Sequence, residues 1–295
     1  MTGKLPQLWP PQRKTGKRAV CSPTVERKQP YPMPEPFGKT APIGELPSLH
    51  AEARRAFPAG LEQPEGSFRF SVDALLLAAF AVSRTNDVTI RFIDFGTGCG
   101  VVGLAYLLLQ RNKCRGFGID CNPELIAAAR NNTAKLGFSD RFALYTGELA
   151  DTHFLEKLRV ETSPIQLVMA NPPWRLIGSG RLPATQARRR ALFGDKGTFP
   201  LFASAASSLL ETDGRFVCII SPDRLQDMLA ALDGAGLAHF LLQFIHKQKT
   251  SPATFVLIEA RKGPYAKPSA AEPIALYGPE GFSTPESLAF CPFLR

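Results

Sequence analysis

Asn171-Pro172-Pro173-Trp174 places an amide, two proline carbonyls and an indole in four consecutive positions. Consecutive prolines hold Asn171 and Pro172 in extended backbone and delete two N–H donors, leaving the carbonyls free to accept. The product is a stiff ledge of acceptors beside an aromatic face. Such a ledge suits a planar amine: the Asn171 side-chain oxygen and the Pro172 carbonyl take its two N–H groups while Trp174 stacks on its ring. The same four residues would also serve as a rigid turn ending a strand.

A second constellation lies upstream, in Asp94-Phe95-Gly96-Thr97-Gly98-Cys99-Gly100. Glycines at this spacing let the backbone turn sharply and approach a ligand closely, and a helix opening after them offers unpaired N–H groups. The stretch resembles motif I of the class I methyltransferases, which bind S-adenosylmethionine through residues matching Asp94, Gly96, Thr97, Gly98 and Gly100. Gly98-Cys99-Gly100-Val101-Val102-Gly103 also fits G-x-G-x-x-G, with Asp120 twenty residues past Gly100. A nicotinamide dinucleotide is therefore the rival ligand at this point. In either case Asp120, closing an apolar run, can accept both hydroxyls of a ribose. Glu148 follows a third such run, where methyltransferases commonly hold the adenine amino group; it also reads as a surface acid at a turn.

Both constellations need elements to hold them. The run Ile165 to Ala170 reads as a buried parallel strand, so Asn171 would leave its carboxyl end, where open α/β sheets bind ligands. Further strands are expected at Thr89 to Phe95, Arg115 to Ile119, Phe142 to Tyr145, Arg215 to Ile220, His239 to Ile245 and Thr254 to Ala260. Helices are expected from Val72, capped by Ser71, and over Val101 to Gln110, Pro123 to Leu136, Phe199 to Leu210 and Arg224 to Leu232. Alternation of this kind predicts an α/β fold: a doubly wound, Rossmann-like, seven-stranded sheet, mostly parallel. The connection Lys247 to Ala253 is too short for a crossover helix, so the last two strands must form an antiparallel hairpin.

At 295 residues the chain can bury one full-sized α/β core. Its formal charge of +9 is concentrated: residues 1 to 30 carry +6 and residues 175 to 196 carry +5, leaving the rest slightly acidic. Localised positive charge of this kind is the footprint of a polyanionic partner, most simply nucleic acid, although a solvated basic surface would look the same. Residues 1 to 47 hold ten of the 26 prolines, and such a segment buries too little apolar surface to offset its ordering entropy. The expected organisation is a Pro-rich basic arm over 1–63, a catalytic domain over 64–262 and an irregular tail over 263–295. Six cysteines show neither C-x-x-C pairs nor histidines at ligand spacing, which predicts reduced thiols, a cytoplasmic location and no metal. No apolar run is long enough to span a bilayer. A monomer is the default assembly.

Taken in order, the glycine-rich loop, the acid after strand two and N-P-P-W after strand four resemble the amino-group methyltransferases. Within these, Phe68-Arg69-Phe70-Ser71-Val72-Asp73-Ala74-Leu75-Leu76-Leu77-Ala78 is similar to the entry segment of the bacterial tRNA(Val) adenine-37 N6-methyltransferases, and Arg175 with Gly178-Ser179-Gly180-Arg181 is similar to that family's downstream loop. Trp174 departs from the more usual Tyr or Phe, and the basic arm is longer than the family's. The resemblance implies methyl transfer from S-adenosylmethionine to the N6 amine of an adenine in tRNA. It places Asn171, Pro172, Pro173 and Trp174 at the reacting amine and Arg175, Arg181, Arg188, Arg189 and Arg190 on RNA phosphates. A protein-glutamine N5-methyltransferase, a DNA or ribosomal RNA adenine methyltransferase, an NAD(P)-dependent oxidoreductase and a non-catalytic RNA-binding module are the competing readings.

Overall fold

The computed structural model describes residues 56–67, 69–85, 90–110, 114–176, 193–262 and 269–294. Most of the expected basic arm, and the loop residues Arg181, Arg188, Arg189 and Arg190, lie outside the described residues.

Apolar side chains at nearly every position bury the first helix, α1 (Val72–Arg84), which carries Asp73 in its first turn. Then follow β1 (Arg91–Phe95), α2 (Val101–Leu109), β2 (Arg115–Asp120), α3 (Pro123–Lys135) and β3 (Phe142–Thr146). Asn122 caps α3 by accepting from the Glu124 N–H, with Pro123 at the first helical position, as a helix start requires. Next come α4 (Thr152–Thr162), β4 (Ile165–Ala170), the two-residue strands β5 (Arg175–Leu176) and β6 (Phe193–Gly194), and α5 (Thr198–Leu209). The chain ends through β7 (Leu210–Ile220), α6 (Leu225–Gly234), β8 (Leu237–His246), β9 (Ala253–Lys262), β10 (Ser269–Ala270), β11 (Ile274–Ala275) and α7 (Pro285–Phe290).

The sheet runs β10-β8-β9-β7-β4-β1-β2-β3, and β11 also pairs with β8. All pairings are parallel except those of β9, which lies antiparallel between β7 and β8. The seven long strands and the closing hairpin are those the sequence predicts. Side chains of β4 alternate between two cores: Leu167 and Met169 join one with α1 and α2, Val168 and Ala170 the other with α5 and α6. Burial on both faces is why this strand reads as an apolar run interrupted only by Gln166.

Three features differ from expectation. Helix α4 goes unpredicted because only Leu158 and Thr162 are buried along it, too thin a stripe to show as periodicity; Asp151 starts it by accepting from the N–H groups of His153 and Phe154. The tail beyond Lys262 is more structured than an irregular segment. Its proline and glycine content limits it to two-residue strands, but these pair with the edge of β8, where Ala271 N–H donates to Leu242 O and Leu276 N–H to His246 O, both at 2.9 Å. Cys291, Phe293 and Leu294 then bury against α1. Finally, the described chain joins the fold before residue 64: Phe57 packs on Phe293 at 4.9 Å between ring centroids, and the Glu62 N–H donates to Asn132 Oδ1 at 2.7 Å. Pairing with distant residues, invisible to local composition, ties both segments down.

Candidate active site

The chain goes from β1 outward through β2 to β3 and then crosses back to β4 on the other side of β1. The carboxyl ends of β1 and β4 therefore flank the topological switch point of the sheet, where a doubly wound fold opens a crevice. Phe95 pairs with Ala170 and with Ile119, and Asp120 with Thr146. The residues that follow these pairs emerge side by side. Register alone thus brings together Gly96, Asp120 and Asn171, with Glu148 two residues beyond Thr146.

Gly96, Gly98 and Gly100 all adopt positive φ (65°, 56° and 88°), the left-handed region that side chains disfavour. A Cβ placed on Gly96 or Gly98 would meet no atom within 4 Å, so the loop presents bare backbone to open space. Its shape is held from beneath by Asp94. The Asp94 Oδ2 atom accepts from Thr97 Oγ1 at 2.6 Å and from the Gly103 N–H at 3.1 Å, binding the loop to the first turn of α2. Burial pushes this carboxyl up to about 7 despite those two donors, with Asp120 adding to the rise. The geometry gives Asp94 and Thr97 a bracing role, while Gly96 and Gly98 face the crevice.

Asp120 closes β2 and reaches across to the loop: Oδ2 accepts from the Gly98 N–H at 3.0 Å and Oδ1 from the Asn122 N–H at 2.9 Å. The Cys121 N–H also bears on this carboxylate, whose remaining lone pair can accept a hydroxyl. Burial raises its pKa, opposed by the backbone donors. Glu148 is exposed on the turn after β3.

On the other side, Asn171 and Trp174 are half-buried and Pro172 is buried. Two clamps hold this ledge. The Trp174 carbonyl accepts from Arg224 Nη1 at 2.7 Å; that arginine is itself buried, with its Nε on Asp227 Oδ2 and its guanidinium 4.6 Å from the Phe199 ring centroid. Behind the prolines, Gly194 passes so close that a Cβ there would lie 2.6 Å from the Pro173 carbonyl oxygen, which only glycine permits. At the start of the ledge, Asn171 Nδ2 donates to Asp73 Oδ2 at 2.7 Å. Sequence reasoning missed Arg224, Gly194 and the contact to Asp73, because each arrives from a different element. Arg175 lies in β5.

Among the described residues no three His, Cys, Asp or Glu side chains are grouped to hold a metal, and no helix is long and apolar enough to cross a membrane.

A family model described as a methyltransferase domain matches residues 86–235. A tRNA1(Val) (adenine(37)-N6)-methyltransferase of Porphyromonas gingivalis is 32% identical over 172 residues, which are 57% of this chain and 64% of that protein. The chain thus spans just under two thirds of that relative. An enzyme of the same name from Parabacteroides distasonis is 25% identical over 202 residues, 68% of this chain and 80% of that one. The crystal structure of a predicted O-methyltransferase from Agrobacterium tumefaciens superposes with a TM-score of 0.59 at 22% identity, covering 75% of this chain and 95% of that one, and so shares the fold. With about half its length matched by the domain model, and with that fold, the chain belongs to the methyltransferase domain family.

Proposed function

We propose that this protein transfers a methyl group from S-adenosylmethionine to the exocyclic N6 amine of an adenine in RNA, with tRNA as the substrate and the cytoplasm as its place of action. The observation that carries the reading is the juxtaposition at one switch point of a bare glycine loop and a rigid ledge of acceptors, set by the pairing of Phe95 with Ala170. The residues fit the methyl donor. Gly96 and Gly98 leave room for it, and Asp120, held by backbone donors at the loop, is placed to accept from its ribose. Glu148 stands at the turn after β3 for the adenine amino group. When bound, the donor supplies an electrophilic methyl on a sulfonium.

The chain's own residues then act on the acceptor. Adenine N6 is a poor nucleophile because its lone pair is delocalised into the ring. Asn171 Oδ1 and the Pro172 carbonyl, accepting both N–H groups, favour a more localised nitrogen and aim it at the methyl group. Alignment of this kind can supply roughly 7–11 kcal/mol of the barrier. Trp174 stacks on a base swung out of its helix and replaces the stacking it lost. The methylated amine is acidic enough to release its proton to water. Arg175 and the basic residues Arg181, Arg188, Arg189 and Arg190 supply phosphate contacts.

The names of the Porphyromonas and Parabacteroides relatives support tRNA as the substrate class. Five described cysteines are free thiols, which suits a reducing cytoplasm. The test is methyl transfer from labelled donor to total bacterial tRNA followed by nucleoside analysis, in wild type and Asn171→Ala. N6-methyladenosine is expected in the first, with a loss on the order of 10²-fold or more in the second. Label in methylglutamine of a protein extract, with none in tRNA, would move the protein to the glutamine-methylating class.

A further inference from the structure

The bond between Asn171 and Asp73 decides which way the Asn171 amide faces. Asp73 is buried in the first turn of α1, and its two oxygens are engaged separately: Oδ1 accepts from the Ser71 hydroxyl, and Oδ2 from Asn171 Nδ2 at 2.7 Å. A carboxylate has no donor, so the half of the amide that meets it must be the NH2 group. The Asn171 Oδ1 atom is thereby turned away from Asp73. An amine acceptor presents two donors and needs an oxygen opposite each, so the reversed amide would set donor against donor.

We propose that Asp73 is a positioning residue for methyl transfer: it locks the Asn171 amide in the orientation that offers its oxygen to the substrate amine. This assignment rests on the reading of the site as one that methylates an amine. A negative charge behind the NH2 group also polarises the amide, drawing electron density toward Oδ1 and strengthening it as an acceptor. The start of α1 suits the task, because the unpaired N–H groups and the positive end of the helix dipole favour a carboxylate there. The helix itself is fixed in place at its other end, where Arg84 Nε meets the fully buried Glu259 Oε2 at 2.6 Å. Asp73 therefore joins the entry segment to the acceptor ledge through a single hydrogen bond.

Asp73→Asn keeps the shape but offers either a carbonyl or an NH2 to Asn171, so the lock is lost. With full-length protein and tRNA, kcat is expected to fall on the order of 10²-fold, as for other small misplacements of a reacting group. The dissociation constant for S-adenosylhomocysteine, measured by calorimetry, should stay within about twofold, since Asp73 contacts only Ser71 and Asn171 in these bonds. In the double variant with Asn171→Ala, the Asp73 substitution should cost nothing further. Fully additive losses, or cofactor affinity falling in step with kcat, would overturn the assignment. A readout on the unmodified protein needs neither a variant nor an RNA substrate: the side-chain NH2 of Asn171 in 15N-resolved spectra. One proton shifted downfield and slow to exchange is expected, and a freely exchanging pair would sink the proposal. If wild type labels no RNA, that spectrum still decides the amide orientation, while the functional reading fails by itself.

Discussion

Asp94 is almost fully buried, and loss of solvent pushes its carboxyl from the ordinary carboxylate range up to about 7, against the pull of Thr97 and the Gly103 N–H. Near neutral pH it is therefore part protonated in the folded protein, whereas in the unfolded chain it is ionised. A raised carboxyl pKa means that the native state binds more protons between the two values, so its contribution to stability falls as pH rises from about 4 to about 7 and then levels off. A sulfonium bound at the loop would favour the ionised form. The dissociation constant for S-adenosylmethionine is expected to tighten from pH 6 to pH 8, with proton release visible as a buffer-dependent heat in calorimetry, and Asp94→Asn should flatten that dependence. An unchanged pH profile in the variant would show that another group, such as Asp120, carries the linkage.

The acceptor ledge owes its rigidity to neighbouring elements as well as to its prolines. Arg224, in the turn after β7, spends its guanidinium on the Trp174 carbonyl, on Asp227 and on the Phe199 ring. Lysine carries the charge but not the planar fork, so Arg224→Lys leaves at least one of these partners unmatched. We expect a stability loss of about 1–3 kcal/mol by urea denaturation. The emission of Trp174, read in a Trp9→Phe background, should shift as its environment loosens, together with a drop in kcat. Retention of all three properties would mean that the carbonyl contact is incidental. The register of β4 against β1 is independent of this clamp, so cofactor affinity should be largely preserved.

Across the whole molecule, the two ends of the described chain meet over α1. Phe57 stacks at a tilt on Phe293, Cys291 is fully buried with its Sγ 3.6 Å from the Leu75 carbonyl, and Leu294 closes the same core. These contacts sit on the helix whose first turn carries Asp73, so the tail supports the site from a distance. Removing residues 291–295 takes two large buried side chains and a buried thiol out of the core, and should destabilise the fold by about 3–5 kcal/mol, a cost typical of cavities left by core truncation. A thermal melt measures it directly. A midpoint equal to that of the full chain would mean that the tail packs without contributing.

Local signals were sufficient for the strand-helix alternation, the closing hairpin, the glycine loop and the acceptor tetrapeptide. Period, turn chemistry and proline geometry act over a few residues, so sequence carries them openly. Helix α4 escaped because a two-residue buried stripe is too weak a pattern, and the ordering of the tail escaped because its pairing partners on β8 and α1 lie far away in the chain. Residue types and their spacing set the chemistry on offer: an amide, two proline carbonyls, an indole and a glycine-rich loop. Tertiary structure decided which groups face one another. The pairing of Phe95 with Ala170 brings the glycine loop and the N-P-P-W ledge to one crevice, Arg224 and Gly194 hold the ledge, and Asp73 takes the NH2 side of the Asn171 amide. Hydrogen bonds between residues 50 and 98 positions apart follow from how the sheet orders its strands and how α1 packs on it, and no window of local sequence contains that information.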